Sequence, residues 1–106
     1  ARSAAIQEAT RRAIEVPLRV METTLASLEV IRAMAEHGNP NSVSDAGVGA
    51  LCARSAILGA GLNVRINSRD LKDRRAVEDY LARSRAIQER AQDMEADILA
   101  TLETRL

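Results

Sequence analysis

Hydrophobic residues recur at alternating intervals of three and four along the first third of the chain, and polar residues occupy the positions between them. This spacing is typical of an amphipathic helix, whose buried face returns about every 3.6 residues. Glu8, Arg12 and Arg19 fall on the opposite, polar face. The hydrophobic positions that predict the buried face of this first helix are Ile14, Leu18, Met21, Leu25 and Leu28.

Two features should shape this first helix. Pro17 lies inside the pattern, and because proline has no backbone N–H and clashes with the preceding turn, we expect a kink or a break near it. The helix is predicted to end at His37. Gly38 is then expected to take the left-handed conformation that closes many helices, followed by Asn39 and Pro40.

A second helix is predicted from Ser42, as N-cap, to about Asn67. Ser42 and Asp45 have the spacing of a capping box, with Asp in place of the usual Glu. Each glycine inside a helix costs roughly 1 kcal/mol relative to alanine, so a high density of glycine predicts that another backbone comes very close. The glycines concerned are Gly47, Gly49, Gly59 and Gly61.

Residues 46–64 are the least polar stretch of the chain. Arg54 interrupts this stretch, and Gly, Ala and Ser are abundant in it, so we expect a buried helix rather than a membrane span. No strand signal precedes the glycines, and no phosphate-binding loop spacing is present.

A third helix is predicted from about Asp73 to the end of the chain. The same spacing of three and four continues here for more than three heptads, with charged residues such as Arg83, Glu89 and Arg90 between the hydrophobic positions. The predicted buried positions are Val77, Tyr80, Ser84, Ile87, Ala91, Met94, Ile98 and Leu102.

These elements predict one all-α domain over residues 1–106, with three long helices in an elongated antiparallel bundle. A helix of about 30 residues is roughly 45 Å long, whereas a compact domain of this size has a radius of gyration near ~13 Å. Three such rods leave apolar stripes that need further polypeptide. We therefore expect the bundle to be completed by oligomerisation, as a homo-oligomer and most simply a dimer.

Composition narrows the function further. Basic and acidic residues balance at 15 each, so no overall field favours nucleic acid or an anionic membrane, and neither is expected as a partner. His37 and Cys52 are single residues of their types, which argues against a metal site and a Ser–His catalytic arrangement. Cys52 is expected to be a small buried group. No leader of signal-peptide form is visible, so a cytoplasmic location is the default expectation.

Four motifs carry a resemblance to a known family. In chain order they are VPL (residues 16–18), NPNSVSDAGV (39–48), LNVRIN followed by RD (62–67 and 69–70), and LETR (102–105). Together they resemble the formimidoyltetrahydrofolate cyclodeaminase family, which includes the related methenyltetrahydrofolate cyclohydrolases. The resemblance covers essentially the whole chain. It implies the carboxy-terminal part of such a domain, since the family's amino-terminal Pro-Gly-Gly-Gly-type motif has no match here.

The resemblance also implies a substrate and a chemistry. The substrate would be a tetrahydrofolate with a one-carbon unit on N5 or bridging N5 and N10, and no separate cofactor is expected. Cyclodeamination closes the bridge through attack of N10 with loss of ammonia. Cyclohydrolysis opens the bridge through attack of water. Both reactions need proton transfer at a tetrahedral carbon, and the choice between them stays open.

The resemblance makes Asp45 the candidate catalytic carboxylate and makes Asn63, Asn67 and Arg65 candidate substrate-binding residues. On one helix, Asp45 and Asn63 are five turns apart and share a face, yet lie roughly 27 Å apart along the axis. An antiparallel crossing of two copies through their small residues would bring Asp45 of one copy near Asn63 of the other. We therefore expect a site shared across a two-fold interface.

Each of these residues also has a purely structural interpretation. Asp45 is a carboxylate at a helix N-terminus, where the dipole stabilises it. Asn63 and Asn67 could form hydrogen bonds across a helix interface, and Arg65, like Arg54, could pair with a carboxylate. The alternative function is accordingly a non-catalytic helical oligomerisation module or an inactive remnant of the enzyme.

Overall fold

A computed structural model describes residues 1–106 as three helices and a short 3-10 turn. Helix α1 spans Arg2–His37, the turn spans Pro40–Ser42, α2 spans Val43–Ser68 and α3 spans Arg74–Glu103. The molecule measures 58 × 17 × 16 Å and has a radius of gyration of 16.9 Å. The predicted all-α, elongated bundle is confirmed. Because both connections are short, consecutive helices run antiparallel.

The core follows the predicted hydrophobic positions closely. All eight predicted positions of α3 are buried, and four of the five predicted positions of α1 are buried, while Leu25 packs against the core half-buried. The side chains of α2 that face this core are small or β-branched, which lets the three helices approach each other. They are Val43, Gly47, Ala50, Ala53, Ile57, Ala60, Gly61, Val64 and Ser68.

Helices α1 and α3 run parallel, and two ion pairs that are seven residues apart on each helix show how the helices are aligned. Arg83 lies 2.8 Å from Glu22, and Arg90 lies 3.3 Å from Glu29. Both pairs are solvent-exposed, so each contributes little free energy. Their equal spacing along the two helices shows that α1 and α3 stay in step over two turns.

Of the kink or break predicted near Pro17, the break is wrong, because α1 continues through Pro17 as one helix. The carbonyl of Ala13 would normally accept a hydrogen bond from residue 17, which as proline has no N–H to donate. Nδ2 of Asn67 on α2 donates to this carbonyl instead, at 3.0 Å.

The predicted left-handed cap at Gly38 is also wrong. Gly38 has φ −73° and ψ 175°, which is extended backbone, and its N–H donates to the carbonyl of Met34 at 2.8 Å. Arg105 supplies the rest of the cap from beyond the end of α3: its guanidinium donates to the carbonyls of Ala35 at 2.6 Å and of Gly38 at 2.9 Å. A cation at this end also complements the helix dipole.

Helix α2 begins at Ser42 as predicted, but the capping box does not form. Ser42 has φ −114° and ψ 12°, and its side chain makes no capping hydrogen bond. The preceding 3-10 turn leads directly into the helix, so Ser42 lacks the extended backbone of an ordinary N-cap. The side-chain cap lies earlier, where Oδ1 of Asn39 accepts from the N–H of Asn41 at 2.9 Å.

The glycines of α2 make room for side chains rather than for another backbone. A Cβ at Gly47 would lie 2.6 Å from Cδ1 of Leu102, and a Cβ at Gly61 would lie 2.5 Å from Nε2 of Gln88. The expected backbone approach is therefore wrong at these two positions. Gly59 differs, because nothing lies within 4 Å of the place where its Cβ would be.

The expectation that α2 is a buried helix holds for only one of its faces. The opposite side, here called the outer face of α2, exposes large hydrophobic side chains and also exposes Cys52, which was expected to be buried. By length and composition, residues 40–68 are in fact apolar enough to cross a membrane, contrary to the sequence expectation, and 39% of the most apolar window is buried in the bundle. The large hydrophobic residues of the outer face are Val48, Leu51, Leu58, Leu62 and Ile66.

The close contact of Gly47 with Leu102 generates a stability prediction. We expect Gly47→Ala to lower the free energy of unfolding by about 1–2 kcal/mol, because displacing the buried Leu102 costs more than the roughly 1 kcal/mol of helix propensity that alanine adds. Gly49→Ala is the matched control, since its Cβ would meet Cδ1 of Ile31 at an ordinary 3.5 Å. The control should gain about 0.5–1 kcal/mol of helix propensity. Urea denaturation of both variants would contradict this packing if their effects had the same sign.

Candidate functional site

The two ends of α2 carry different candidate residues. Asp45 lies exposed in the first turn of α2, beside the connection from α1, and its side chain makes no hydrogen bond or ion pair within the chain. Asn63, Asn67 and Arg65 lie in the last turns of the same helix. The separation along the axis remains roughly 27 Å between Asp45 and Asn63. A single chain therefore does not bring the carboxylate to the amides.

A groove runs between α1 and α2 at the end that carries the amides. It has a volume of about 430 Å³, which is within the range of small-molecule sites. Ala56 and Ala60 make the floor on the α2 side, and the short side chains keep the groove open. We call this feature the α1–α2 groove, and its lining residues are Ala13, Val16, Pro17, Val20, Ala56, Ala60, Asn63 and Asn67.

The two asparagines of the groove differ in their exposure and in their hydrogen bonding. Asn67 is half-buried and donates through Nδ2 to Ala13, so the predicted hydrogen bond across a helix interface is present for this residue. Asn63 is exposed and makes no side-chain hydrogen bond within the chain. The oxygen and the nitrogen of the Asn63 amide are thus both available to a ligand. Nδ2 of Asn67 already donates to Ala13, so Asn67 offers a ligand only its remaining N–H and its oxygen.

A basic surface adjoins the groove. A second depression of about 400 Å³ is lined by Leu62, Asn63, Arg65, Ile66 and Arg69. Because Asn63 lines both features, the two are adjacent. Arg65 makes no ion pair within the chain, unlike Arg54, whose Nε lies 3.5 Å from Oε1 of Glu95. The structural interpretation offered for both arginines therefore applies to Arg54 only.

A second polar cluster, which sequence reasoning missed, ties the start of α3 to α1. The hydroxyl of Tyr80 donates to Oε2 of Glu15 at 2.6 Å, and Nη2 of Arg11 lies 3.4 Å from Oδ2 of Asp73. Desolvation and the bond to Glu15 raise the pKa of Tyr80. Asp73 is the N-cap of α3, and the N–H of Ala76, followed by Arg11, lowers the pKa of its carboxyl.

This cluster has the features of a stabilising contact between helices rather than of a catalytic site. Its members lie at contacts between helices, and each has a partner within the chain. Glu15 alone also lines a depression, which is polar and small at about 190 Å³. Tyr80 had a sequence signal as a buried position of α3, but nothing in the pattern of α1 marked Glu15 as its acceptor. No group of three His, Cys, Asp or Glu residues is arranged to hold a metal ion.

The comparison with protein families identifies the family to which the chain belongs. Residues 1–86 match the family described as formiminotransferase-cyclodeaminase. The chain belongs to this family. The resemblance carried by the four motifs is therefore confirmed, and the family is one of folate one-carbon enzymes.

Individual members of the family are similar over most of this chain. A methenyltetrahydrofolate cyclohydrolase of Methylorubrum extorquens is 41% identical over 81 residues, covering 76% of this chain and 39% of that protein. Formimidoyltransferase-cyclodeaminases of Rattus norvegicus and Dictyostelium discoideum are 33% and 35% identical over 104 residues, covering 98% of this chain and 19% of those proteins. The chain thus spans well under half the length of these relatives.

The lowered pKa of Asp73 generates a prediction about pH. A carboxyl whose pKa is lowered by folding stabilises the fold above the unfolded-state pKa, and this contribution is lost as the pH falls through the folded-state pKa. We expect Asp73→Asn, which keeps an acceptor but loses the charge, to melt at a lower temperature than the native chain at pH 7. The difference should narrow as the pH falls below about 4.

Melting temperatures measured across a pH series check this prediction. Asp70→Asn is the control, since Asp70 is exposed and its side chain makes no hydrogen bond or ion pair. A difference for Asp73→Asn that stays constant or widens toward low pH would be evidence against the proposed role of its charge.

Proposed function

We propose that this chain binds a tetrahydrofolate derivative in the α1–α2 groove and forms part of a cyclodeaminase or cyclohydrolase site. The observation that carries the proposal is the combination of an apolar groove, two amides at one end and unpaired guanidinium groups beside them. Apolar walls with a few convergent polar groups are typical of small-molecule sites. Family membership supports folate chemistry as the reason for this combination.

The groove suits the shape and polarity of the proposed substrate. Val16 and Val20 offer apolar surface to a flat heterocyclic ring, and Asn63 can donate to and accept from the polar edge of that ring. Arg65 and Arg69 lie beyond Asn63, where they can bind the carboxylates of the glutamate tail. Guanidinium groups match the geometry of carboxylates in two parallel hydrogen bonds.

The proposed chemistry needs a group that moves a proton. In cyclodeamination, N10 attacks the formimino carbon, a C–N bond forms, and the bond to the departing nitrogen breaks as ammonia leaves. In cyclohydrolysis, water attacks the methenyl carbon, loses a proton, and one C–N bond of the bridge breaks. Asp45 is proposed as the carboxylate that accepts and returns these protons and stabilises positive charge on the substrate.

A second copy of the chain is proposed to deliver Asp45. The outer face of α2 carries no charge between Val48 and Leu62 other than Arg54, which turns toward Glu95 on α3. Antiparallel pairing of two such faces brings the end of α2 that carries Asp45 in one copy beside the end that carries Asn63, Arg65 and Arg69 in the other. The charges at the two ends are then complementary, and the apolar residues between them are removed from water.

The folate proposal is tested by binding and turnover. The chain is incubated with methenyltetrahydrofolate, and the near-ultraviolet absorbance reports conversion while calorimetry reports binding. We expect Asn63→Ala to weaken binding about fivefold to tenfold, because one or two hydrogen bonds to the ligand are lost. Asn41→Ala, an exposed asparagine outside the groove, is the control and should bind as the native chain does.

The outcomes of this test separate the two functions. Binding that depends on Asn63 supports the folate site, and turnover in addition supports the enzyme. Binding without turnover favours the inactive remnant. No binding by the native chain would refute the folate proposal and leave the oligomerisation module as the better account of the exposed outer face.

The shared site generates a prediction about the oligomeric state of the chain. Leu51 is 48% exposed on the outer face of α2, close to the centre of the proposed two-fold crossing. We expect Leu51→Glu to convert the proposed dimer to monomer in sedimentation equilibrium. The substitution would place two like charges near each other in an interface that excludes water. Leu106→Glu is the matched control, since Leu106 is 76% exposed at the end of the chain and away from this face. A native chain that sediments as a monomer at all concentrations would rule out the shared site.

A further inference from the structure

Pro17 interrupts the hydrogen bonding of α1 without interrupting the helix. In a regular α-helix the N–H of residue 17 donates to the carbonyl of residue 13, and proline has no such donor. The carbonyl of Ala13 accepts from Nδ2 of Asn67 at 3.0 Å, although the two residues are 54 positions apart in the chain. Asn67 therefore supplies, from α2, the donor that Pro17 lacks.

This contact determines which way round the amide of Asn67 lies. A carbonyl oxygen can only accept a hydrogen bond, so the nitrogen of the amide and not its oxygen must face Ala13. Oδ1 of Asn67 has no partner within the chain. Because Asn67 lines the α1–α2 groove, this oxygen is the acceptor that the residue offers to an occupant of the groove. Asn63, which makes no such bond, can turn either end of its amide to a ligand.

We infer that Pro17 makes Asn67 a positioning residue: the carbonyl it leaves free holds the amide so that the groove presents a fixed acceptor oxygen. A fixed acceptor favours ligands that carry an N–H donor at the corresponding edge and disfavours ligands that carry an acceptor there. The inference rests on the proposed folate site and names the feature that the site selects, the 2-amino and N3–H donors of a pterin ring.

The inference requires opposite effects of one substitution on stability and on selectivity. Alanine at position 17 restores the backbone donor, so Ala13 is satisfied within α1 and the helix becomes more stable. The amide of Asn67 is then released and can rotate. A purely structural role for Pro17 and Asn67 predicts no loss of ligand discrimination in a variant that is more stable than the native chain.

The first experiment is a double-mutant cycle without ligand, using Pro17→Ala, Asn67→Ala and the double variant of the full chain. In the native background, Asn67→Ala leaves a backbone carbonyl without a partner, and we expect the unfolding equilibrium constant to rise about tenfold. In the Pro17→Ala background the same change should raise it about threefold or less, because the carbonyl no longer needs Asn67.

The second experiment compares the binding of tetrahydrofolate and of its 2-desamino analogue, which lacks the amino donor. The native chain should prefer tetrahydrofolate by about tenfold, and Pro17→Ala should reduce this preference to about threefold or less. Val20→Ala is the matched control because Val20 also lines the groove but takes no part in the hydrogen bond between Asn67 and Ala13. It should weaken binding of both compounds equally and keep the preference.

The outcomes distinguish this inference from the proposal on which it rests. Equal effects of Asn67→Ala in the two backgrounds would overturn the inference whatever the chain binds. Coupling in the cycle together with an unchanged preference in Pro17→Ala would show that Asn67 is structural only, and would also overturn it. Failure of the native chain to bind either compound would instead reject the proposed function. It would leave the result of the double-mutant cycle unchanged, because the cycle uses no ligand.

Discussion

Helix α2 is apolar on two opposite sides, and this constraint organises the whole molecule. One side must be buried, and it packs against α1 and α3 through glycine, alanine and β-branched residues. The other side remains at the surface, where Leu62 is 55% exposed and Val48 59%. A contiguous apolar surface of this kind is unusual on a monomeric soluble protein and is typical of an interface. The candidate residues lie at the two ends of this same helix, which links the constraint to the proposed function.

Patterns that repeat over many residues predicted the fold well, whereas features decided by a single distant partner did not follow from the sequence. The eight buried positions of α3 were predictable because their spacing persists over most of the helix. The cap at Gly38 was not, because it depends on Arg105, which lies 67 residues away. The donor that Ala13 receives from Asn67 across Pro17 was missed for the same reason, since the two residues are 54 positions apart. Exposure of Cys52 was missed because periodicity cannot tell which of two apolar faces of α2 lies inside.

The candidate site divides along similar lines. The motifs around Asp45 and around Asn63 to Asn67 pointed to the correct family, and helical geometry already showed that one chain could not bring the two groups together. Three properties arise only in the folded chain: the groove that Ala56 and Ala60 leave open, the absence of a carboxylate beside Arg65, and the orientation of the Asn67 amide. Each depends on side chains from a neighbouring helix whose identity the local sequence does not encode.

The proposed shared site requires that two copies of α2 cross antiparallel, with Asp45 of one copy beside Asn63 of the other. Disulfide trapping measures this directly. In a Cys52→Ser background, Asp45→Cys and Asn63→Cys chains are mixed and oxidised, since a disulfide forms only when the two Cα atoms come within about 7 Å. The account predicts a covalent dimer that joins these two chains and none when Asn41→Cys replaces Asp45→Cys. Folded chains that remain uncrosslinked, or that crosslink equally well through position 41, would contradict it.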